Sequence, residues 1–195
     1  MQESRQLILS SSSPARRALL TRLQIPFIST SPDIDETPLA NESVEEMVER
    51  LAIAKAKKTA AVYPNALIIG CDQVGTLNNQ MLAKPLTIAN AIQQLEFMSG
   101  KKVRFFTAMC LLDTKHDQLQ FAIETYDVYF RKLNKDMINN YLKKEAALQC
   151  AGSCQIEGLG ITLIEKLDGN DYTALIGLPL IRLTDMLTKA GMQIP

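Results

Sequence analysis

Between Leu7 and Leu20 the chain reads LILSSSSPARRALL, which sets four serines, a proline and two arginines at the junction of two apolar runs. Ser13 is of the type that caps helix starts and Pro14 suits the first helical position, so a helix begins here. A helix start exposes unpaired N–H groups and about half a positive charge, which favours an anion. Arg16 and Arg17 add permanently charged planar forks, and the hydroxyls of Ser11 and Ser13 add further donors. Together these residues form a phosphate cradle on a strand-to-helix turn. They equally suit a plain capped helix with surface arginines, and this stretch alone leaves both readings open.

Other candidates are spread along the chain. On the helix opened by Ser43, residues Val44, Val48, Leu51 and Val62 form an apolar stripe, and Lys55 falls inside it at 3.6 residues per turn. A lysine there either snorkels to water or meets a negative partner, because an unpaired buried ammonium is costly. The apolar strand ALIIGC delivers Asp72 and Gln73 at or just beyond its carboxyl end, the edge where open α/β sheets bind ligands. An acid there serves as metal ligand or general base, or simply starts a turn. Asp33, Asp35 and Glu36 in SPDIDETP, and Glu157 in SCQIEGLG, are hard oxygen donors. Mg²⁺ or Mn²⁺ shares itself between such carboxylates and substrate phosphates, although acidic loops are also common as solvated surface. Lys84 precedes Pro85, which holds it extended and within reach of a phosphate or of solvent.

Several familiar signals are missing. No Gly-x-x-x-x-Gly-Lys-Ser/Thr loop occurs, and EGLG lacks the third glycine and following helix of a dinucleotide fingerprint. The single histidine, His116, sits in the turn TKHDQ, which argues against a histidine-driven nucleophile. Acid–base work therefore falls to carboxylates or lysines.

The elements that must position these groups alternate along the chain. Strands are expected over 6–10, 27–30, 66–71 and 161–167, with a long antiparallel pair over 103–113 and 119–130. Helices are expected over 14–23, from Ser43 to about Val62, from Thr87 to Gly100, from Asn134 through Lys143, and over 178–189. Ser43 and Glu46 form a capping box, and Leu77-Asn78-Asn79-Gln80 reads as a hairpin turn. Interspersed strands and helices around one long hairpin give an α/β class with a mixed sheet flanked by helices, expected as one domain over 1–195.

Composition sets the outer limits. A chain of 195 residues buries enough surface to need neither metal nor disulfide staple. Lys+Arg and Asp+Glu both number 21, and this neutrality argues against broad nucleic-acid binding while leaving room for a small phosphorylated ligand. Cys71, Cys110, Cys150 and Cys154 form no Cys-x-x-Cys pair, so reduced thiols of a cytosolic protein are expected. No signal peptide and no membrane-length apolar run is read, so the expected location is the cytoplasm, away from membranes.

In this order, SSSPARR, DIDETP, RLAIAKA, IIGCDQV, AKPL and CAGSCQIEGLG resemble the Maf-like nucleoside triphosphate pyrophosphatases, relatives of the inosine triphosphate pyrophosphatase fold. DETP, FFTA, VYFR and IGLPL look most like the branch acting on 7-methyl-GTP. The resemblance covers nearly the whole chain and implies a cleft between two lobes. It implies that Asp72 is the general base, that Arg16, Lys55 and Lys84 bind the triphosphate with Ser11 and Ser13 nearby and Arg17 assisting, and that Glu36 and Asp72 hold a divalent ion (Mg²⁺, Mn²⁺ or Co²⁺). Ala15, Gln73 and Glu157 fall where base recognition is tuned. The chain departs from the branch at Ala15, where an aromatic residue, commonly Trp, is expected; alanine has no ring to stack on a cationic methylated guanine. Ala83 also replaces the glycine usual before Lys-Pro. The implied reaction is metal-assisted hydrolysis of a nucleoside triphosphate between its α- and β-phosphates, as nucleotide-pool house-cleaning. A nucleotidyltransferase, or a regulatory binding protein linked to cell division, are the alternatives. A homodimer is implied by the resemblance alone.

Overall fold

The computed structural model describes residues 5–78, 80–145 and 147–194. The chain opens with β1 (Gln6–Ser10), α1 (Pro14–Thr21), β2 (Phe27–Thr30) and α2 (Val44–Ala60). Next come β3 (Ala66–Leu77), β4 (Gln80–Leu82) and α3 (Ile88–Met98), then the long β5 (Lys102–Asp113) and β6 (Gln118–Phe130). After α4 (Lys135–Lys144) follow β7 (Ile164–Asp168), α5 (Tyr172–Ile176) and α6 (Leu180–Lys189), with 3-10 turns at Ala151–Ser153 and Leu159–Leu163. The strand order is β2-β1-β3-β5-β6-β7, with β4 paired to β3. Parallel pairing of β1 with β2 and β3, and antiparallel pairing of β3 with β4 and β6 with β7, make this the mixed α/β sheet expected. No helix among the described residues is long and apolar enough to cross a membrane.

The chain divides into two compact units. The first comprises Met1–Gln73, Phe106–Glu124 and Asp171–Pro195. Its β1 is buried from Leu7 onward, as a strand covered on both faces must be. Side chains alternate across it: Leu7 and Leu9 join Leu20, Leu67, Ile69, Leu183 and Leu187, whereas Ile8 joins Ile68, Cys110 and Ala56 on the other face. A Cβ on Gly70 would overlap the carbonyl oxygen of Ala52, so glycine lets α2 lie close against β3. That approach brings Lys55 level with the end of the β1–β3 ladder, which runs from Gln6↔Ala66 to Ser10↔Gly70.

Three sequence expectations change here. β3 does not stop at Cys71; it continues to Leu77 because its tail finds β4 as a partner, so Asp72 and Gln73 lie inside the strand, just past the end of its pairing with β1. α2 ends at Ala60, ahead of Pro64, and Val62 is 71% exposed rather than part of the apolar stripe. The buried face is instead Met47, Val48, Leu51, Ala52, Lys55, Ala56 and Thr59. The closing helix begins at Leu180, not Leu178, because Gly177 (φ +120°) and Pro179 separate it from the short α5.

The second unit comprises Val74–Phe105 and Thr125–Asn170. Its hairpin pairs Leu77 with Gln80, and Asn78 takes φ +52°, as a tight turn requires; Asn79 lies outside the described residues. Thr87 and Asn134 cap α3 and α4 through side-chain oxygens that accept from Asn90 N and Met137 N. The strand expected over 161–167 is split: a 3-10 turn holds its first part, and β7 starts only where Ile164 meets Phe130.

Candidate active site

The serine-rich turn after β1 closes on itself through its own hydroxyls. Ser13 caps α1, its Oγ accepting from Arg16 N at 3.3 Å. The buried Ser11 Oγ accepts from Ser13 N at 3.1 Å and from Arg16 Nη1 at 3.5 Å. Arg16 itself is clamped by two backbone carbonyls: Nε donates to Gly177 O and Nη1 to Cys71 O, both at 2.9 Å. A guanidinium fixed on two edges is held in one orientation rather than left as a mobile surface charge. Arg17, the neighbouring arginine, points into solvent.

Lys55 resolves the choice between snorkelling and pairing. It is 7% exposed, and its Nζ lies 2.6 Å from Asp72 Oδ1 and 2.7 Å from Glu36 Oε1. A residue of the acidic loop and a residue of β3 thus meet on one ammonium. The Asp72 side chain is 10% exposed and that of Glu36 57%. Glu36 is delivered by a stapled loop: Arg50 of α2 donates to Glu42 Oε1 at 2.5 Å and Oε2 at 2.7 Å, and to Thr37 O at 3.2 Å. The Arg50 hydrogen bond holds the Glu42 carboxyl down at about 2. Asp35 caps Thr37 N at 2.9 Å and is held below the usual carboxylate range by that residue, while Asp33 is exposed. Arg50, Glu42 and Gly177 were invisible as site residues in the sequence, since neither an eight-residue spacing nor a distant carbonyl leaves a local signal.

Gln73, next on β3, is tied by its amide nitrogen. Nε2 donates at 2.9 Å to Thr107 Oγ1, Ala174 O and Leu175 O. Thr107 Oγ1 in turn donates to Ala174 O at 2.9 Å. Both amide hydrogens are spoken for, which leaves the carbonyl oxygen Oε1 as the group able to meet a ligand. The Cys71 thiol is buried and donates to Gly177 O at 2.9 Å, and burial pushes its pKa up, the setting of a structural thiol. Ala15 is half-buried in the first turn of α1. His116 bonds Asp113 at 2.8 Å and takes no part in this cluster.

Within the second unit, Lys84 and Glu157 are both exposed. They share a neighbourhood: burial first, then Glu157 and Glu145, push the Cys150 thiol up, while Lys84 acts in the opposite sense.

Among the described residues no group of three or more His, Cys, Asp or Glu side chains forms a metal cage. The Glu36–Asp72 pair fits a hard divalent ion in a different way. Two carboxylates already converge on one cation, the Lys55 ammonium, and Mg²⁺-type sites commonly combine one or two carboxylates with substrate phosphates.

A Maf-like protein family profile matches residues 6–190. A curated relative from Methylobacillus flagellatus, named 7-methyl-GTP pyrophosphatase, is 52% identical over 96% of this chain and 98% of its own. One of the same name from Pseudomonas aeruginosa is 51% identical over 97% of this chain and 98% of its own. Among solved structures, the Staphylococcus aureus Ham1 protein is similar at 14% identity and a TM-score of 0.47, over 66% of this chain and 73% of that one. With its serine–arginine turn, buried lysine and in-strand aspartate all inside the matched span, the chain belongs to the Maf-like protein family.

Proposed function

We propose that this protein hydrolyses a nucleoside triphosphate, 7-methyl-GTP by preference, to the monophosphate and pyrophosphate, clearing a modified nucleotide from the cytoplasmic pool. The observation that carries the reading is the convergence of Lys55, Asp72 and Glu36 beside an arginine clamped on the carbonyl of Cys71. The shared name of relatives at 51–52% identity supports the choice of substrate.

The residues divide the work. Arg16, the α1 start with Ser11 and Ser13, and Lys55 receive the polyphosphate and balance its charge. Arg17 and Lys84 are assigned to the same task by family resemblance. Asp72 orients a water toward the α-phosphorus in line with the departing pyrophosphate and accepts its proton at a carboxylate oxygen. Lys55 fixes the position of that carboxylate through the 2.6 Å contact. The P–O bond to the β-phosphate breaks, pyrophosphate leaves with the bonding electron pair, and the water oxygen remains on the monophosphate. Glu36 and Asp72 are the residues that would hold a divalent cation. Such an ion, when bound, supplies charge neutralisation on phosphate oxygens. Gln73 offers Oε1 as an acceptor to base N–H groups, with Ala15 and Glu157 as the other positions that tune the base.

The test is a panel of normal and methylated nucleoside triphosphates with Mg²⁺ or Mn²⁺, scored by pyrophosphate release without any acceptor. The parent should favour 7-methyl-GTP, and Asp72→Asn should lower kcat by ~10²-fold or more. Turnover of Asp72→Asn at the parent rate would refute the role of Asp72. A preference for an unmodified pyrimidine nucleotide would refute the substrate.

A further inference from the structure

Asp171, only 5% exposed, uses both carboxylate oxygens to tie two helix starts together. Oδ1 accepts from Thr173 N at 2.8 Å and from Thr173 Oγ1 at 2.5 Å, which caps α5. Oδ2 accepts from Ile181 N at 3.0 Å, in the first turn of α6. Thr173 Oγ1, whose proton goes to Asp171, accepts from Leu180 N at 2.8 Å. The N-cap position of α6 is Pro179, whose side chain makes no capping bond, so Thr173 and Asp171 cap that helix from seven and ten positions away.

The segment pinched between the two starts carries the carbonyls that aim the site. Gly177 O takes Arg16 Nε, and Ala174 O and Leu175 O take Gln73 Nε2, all at 2.9 Å. Gly177 N donates to Thr173 O at 3.1 Å and to Ala174 O at 3.0 Å, and Leu178 N donates to Thr173 O at 3.1 Å, so the segment is closed on itself. A Cβ on Gly177 would lie 3.2 Å from Arg16 Nε, and glycine lets the arginine side chain lie against the turn. The two carbonyls also set the orientation of the Gln73 amide, because an amide oxygen turned toward them would meet acceptors only.

We infer that Asp171 is a positioning residue for the reaction. Through Thr173 and the two helix starts it holds one segment, 174–177, whose carbonyls aim Arg16 and Gln73 together. Grip on the phosphates and reading of the base then depend on the same carboxylate, given the proposed reading that Arg16 and Gln73 meet the nucleotide. Asp171 itself is too deeply buried to touch substrate. A purely structural role would lower the amount of folded enzyme and scale turnover of every nucleotide alike. A positioning role changes KM and base preference in fully folded molecules, because a loosened Gln73 amide can turn and offer Nε2 instead of Oε1 to the base.

The experiment measures kcat and KM of the full chain for 7-methyl-GTP and for UTP, at a temperature where circular dichroism shows each variant folded. Asp171→Asn keeps one acceptor oxygen and cannot serve Thr173 and Ile181 together. It should raise KM for both nucleotides and move the kcat/KM ratio between them about tenfold toward unity. Thr173→Val, which removes the hydroxyl, should do the same, and it decides the matter if Asp171→Asn fails to fold. Thr173→Ser, which keeps the hydroxyl, should hold the parent ratio. Folded variants that keep the parent's KM and ratio, or that lose only kcat by the same factor for both nucleotides, overturn the inference. So does a Thr173→Ser that behaves as Thr173→Val. A parent that releases pyrophosphate from no nucleoside triphosphate refutes the functional reading itself, and the inference with it.

Discussion

Lys55 and Asp72 are joined by one contact but are not equivalent, and this asymmetry can be measured. Lys55 has two carboxylate partners, Asp72 and Glu36, whereas Asp72 has Lys55 as its ion-pair partner among the described residues. Lys55→Met leaves the nearly buried Asp72 carboxylate without its ion-pair partner, and removing one member of a buried pair costs about 3–5 kcal/mol. Glu36, whose side chain is 57% exposed, is reached by solvent and adds little. Asp72→Asn leaves the ammonium paired with Glu36 and removes one charge-assisted bond, about 1.5–3 kcal/mol at most. The lysine variant should therefore lose roughly 2 kcal/mol more stability, which is about 1 M in urea midpoint at a slope of about 2 kcal/mol/M. Urea unfolding at pH 7 should be followed by circular dichroism and by fluorescence of the five tyrosines, as the chain contains no tryptophan. Coincident transitions are needed for the comparison, since two compact units could unfold separately. Replacing both residues, Lys55→Met with Asp72→Leu, should recover much of the loss because no buried charge is left unpaired. An Asp72→Asn variant less stable than Lys55→Met would refute the argument.

Three further outcomes are expected. Gly70→Ala would press a methyl group into the Ala52 carbonyl, so α2 must move off β3; a loss of about 1–3 kcal/mol is expected, and an unchanged thermal midpoint would exclude the close approach. Glu42 has its folded-state pKa depressed to about 2 from 4.5, so its contribution is complete above about pH 4.5 and fades as pH falls toward 2; the stability of Glu42→Gln should be less pH-dependent than the parent's between pH 5 and 3 in denaturant titrations. Arg16→Lys keeps the charge but cannot satisfy both Gly177 O and Cys71 O in one plane, so kcat/KM should fall by ~10²-fold with stability changed by only about 1 kcal/mol; undiminished turnover would show that the fork is dispensable.

How much of this was readable in the sequence depends on how local each cause is. The Ser43–Glu46 capping box, the Thr87 and Asn134 caps and the start of α1 at Pro14 were readable because each is decided within four residues. Lys55 was readable as an anomaly, since helical periodicity alone puts it on the buried face, but its partners come from 17 and 19 positions away in a strand and a loop. The extension of β3 through Asp72 depends on β4, and the late start of β7 depends on where Phe130 stands. α5 is five residues long, too short for a periodic signal, yet its segment supplies the acceptors for Gln73 and Arg16. Residue types suggested a chemistry; distant backbone carbonyls determine how Arg16 and Gln73 are aimed.

The bond from Arg16 to the carbonyl of Gly177 spans 161 positions of sequence. A growing polypeptide therefore makes its guanidinium early and the acceptor that aims it very late in translation. Ribosome-tethered chains halted short of Gly177 would hold the arginine on the Cys71 carbonyl alone and should retain nucleotide poorly, whereas released chains with both acceptors should retain it well.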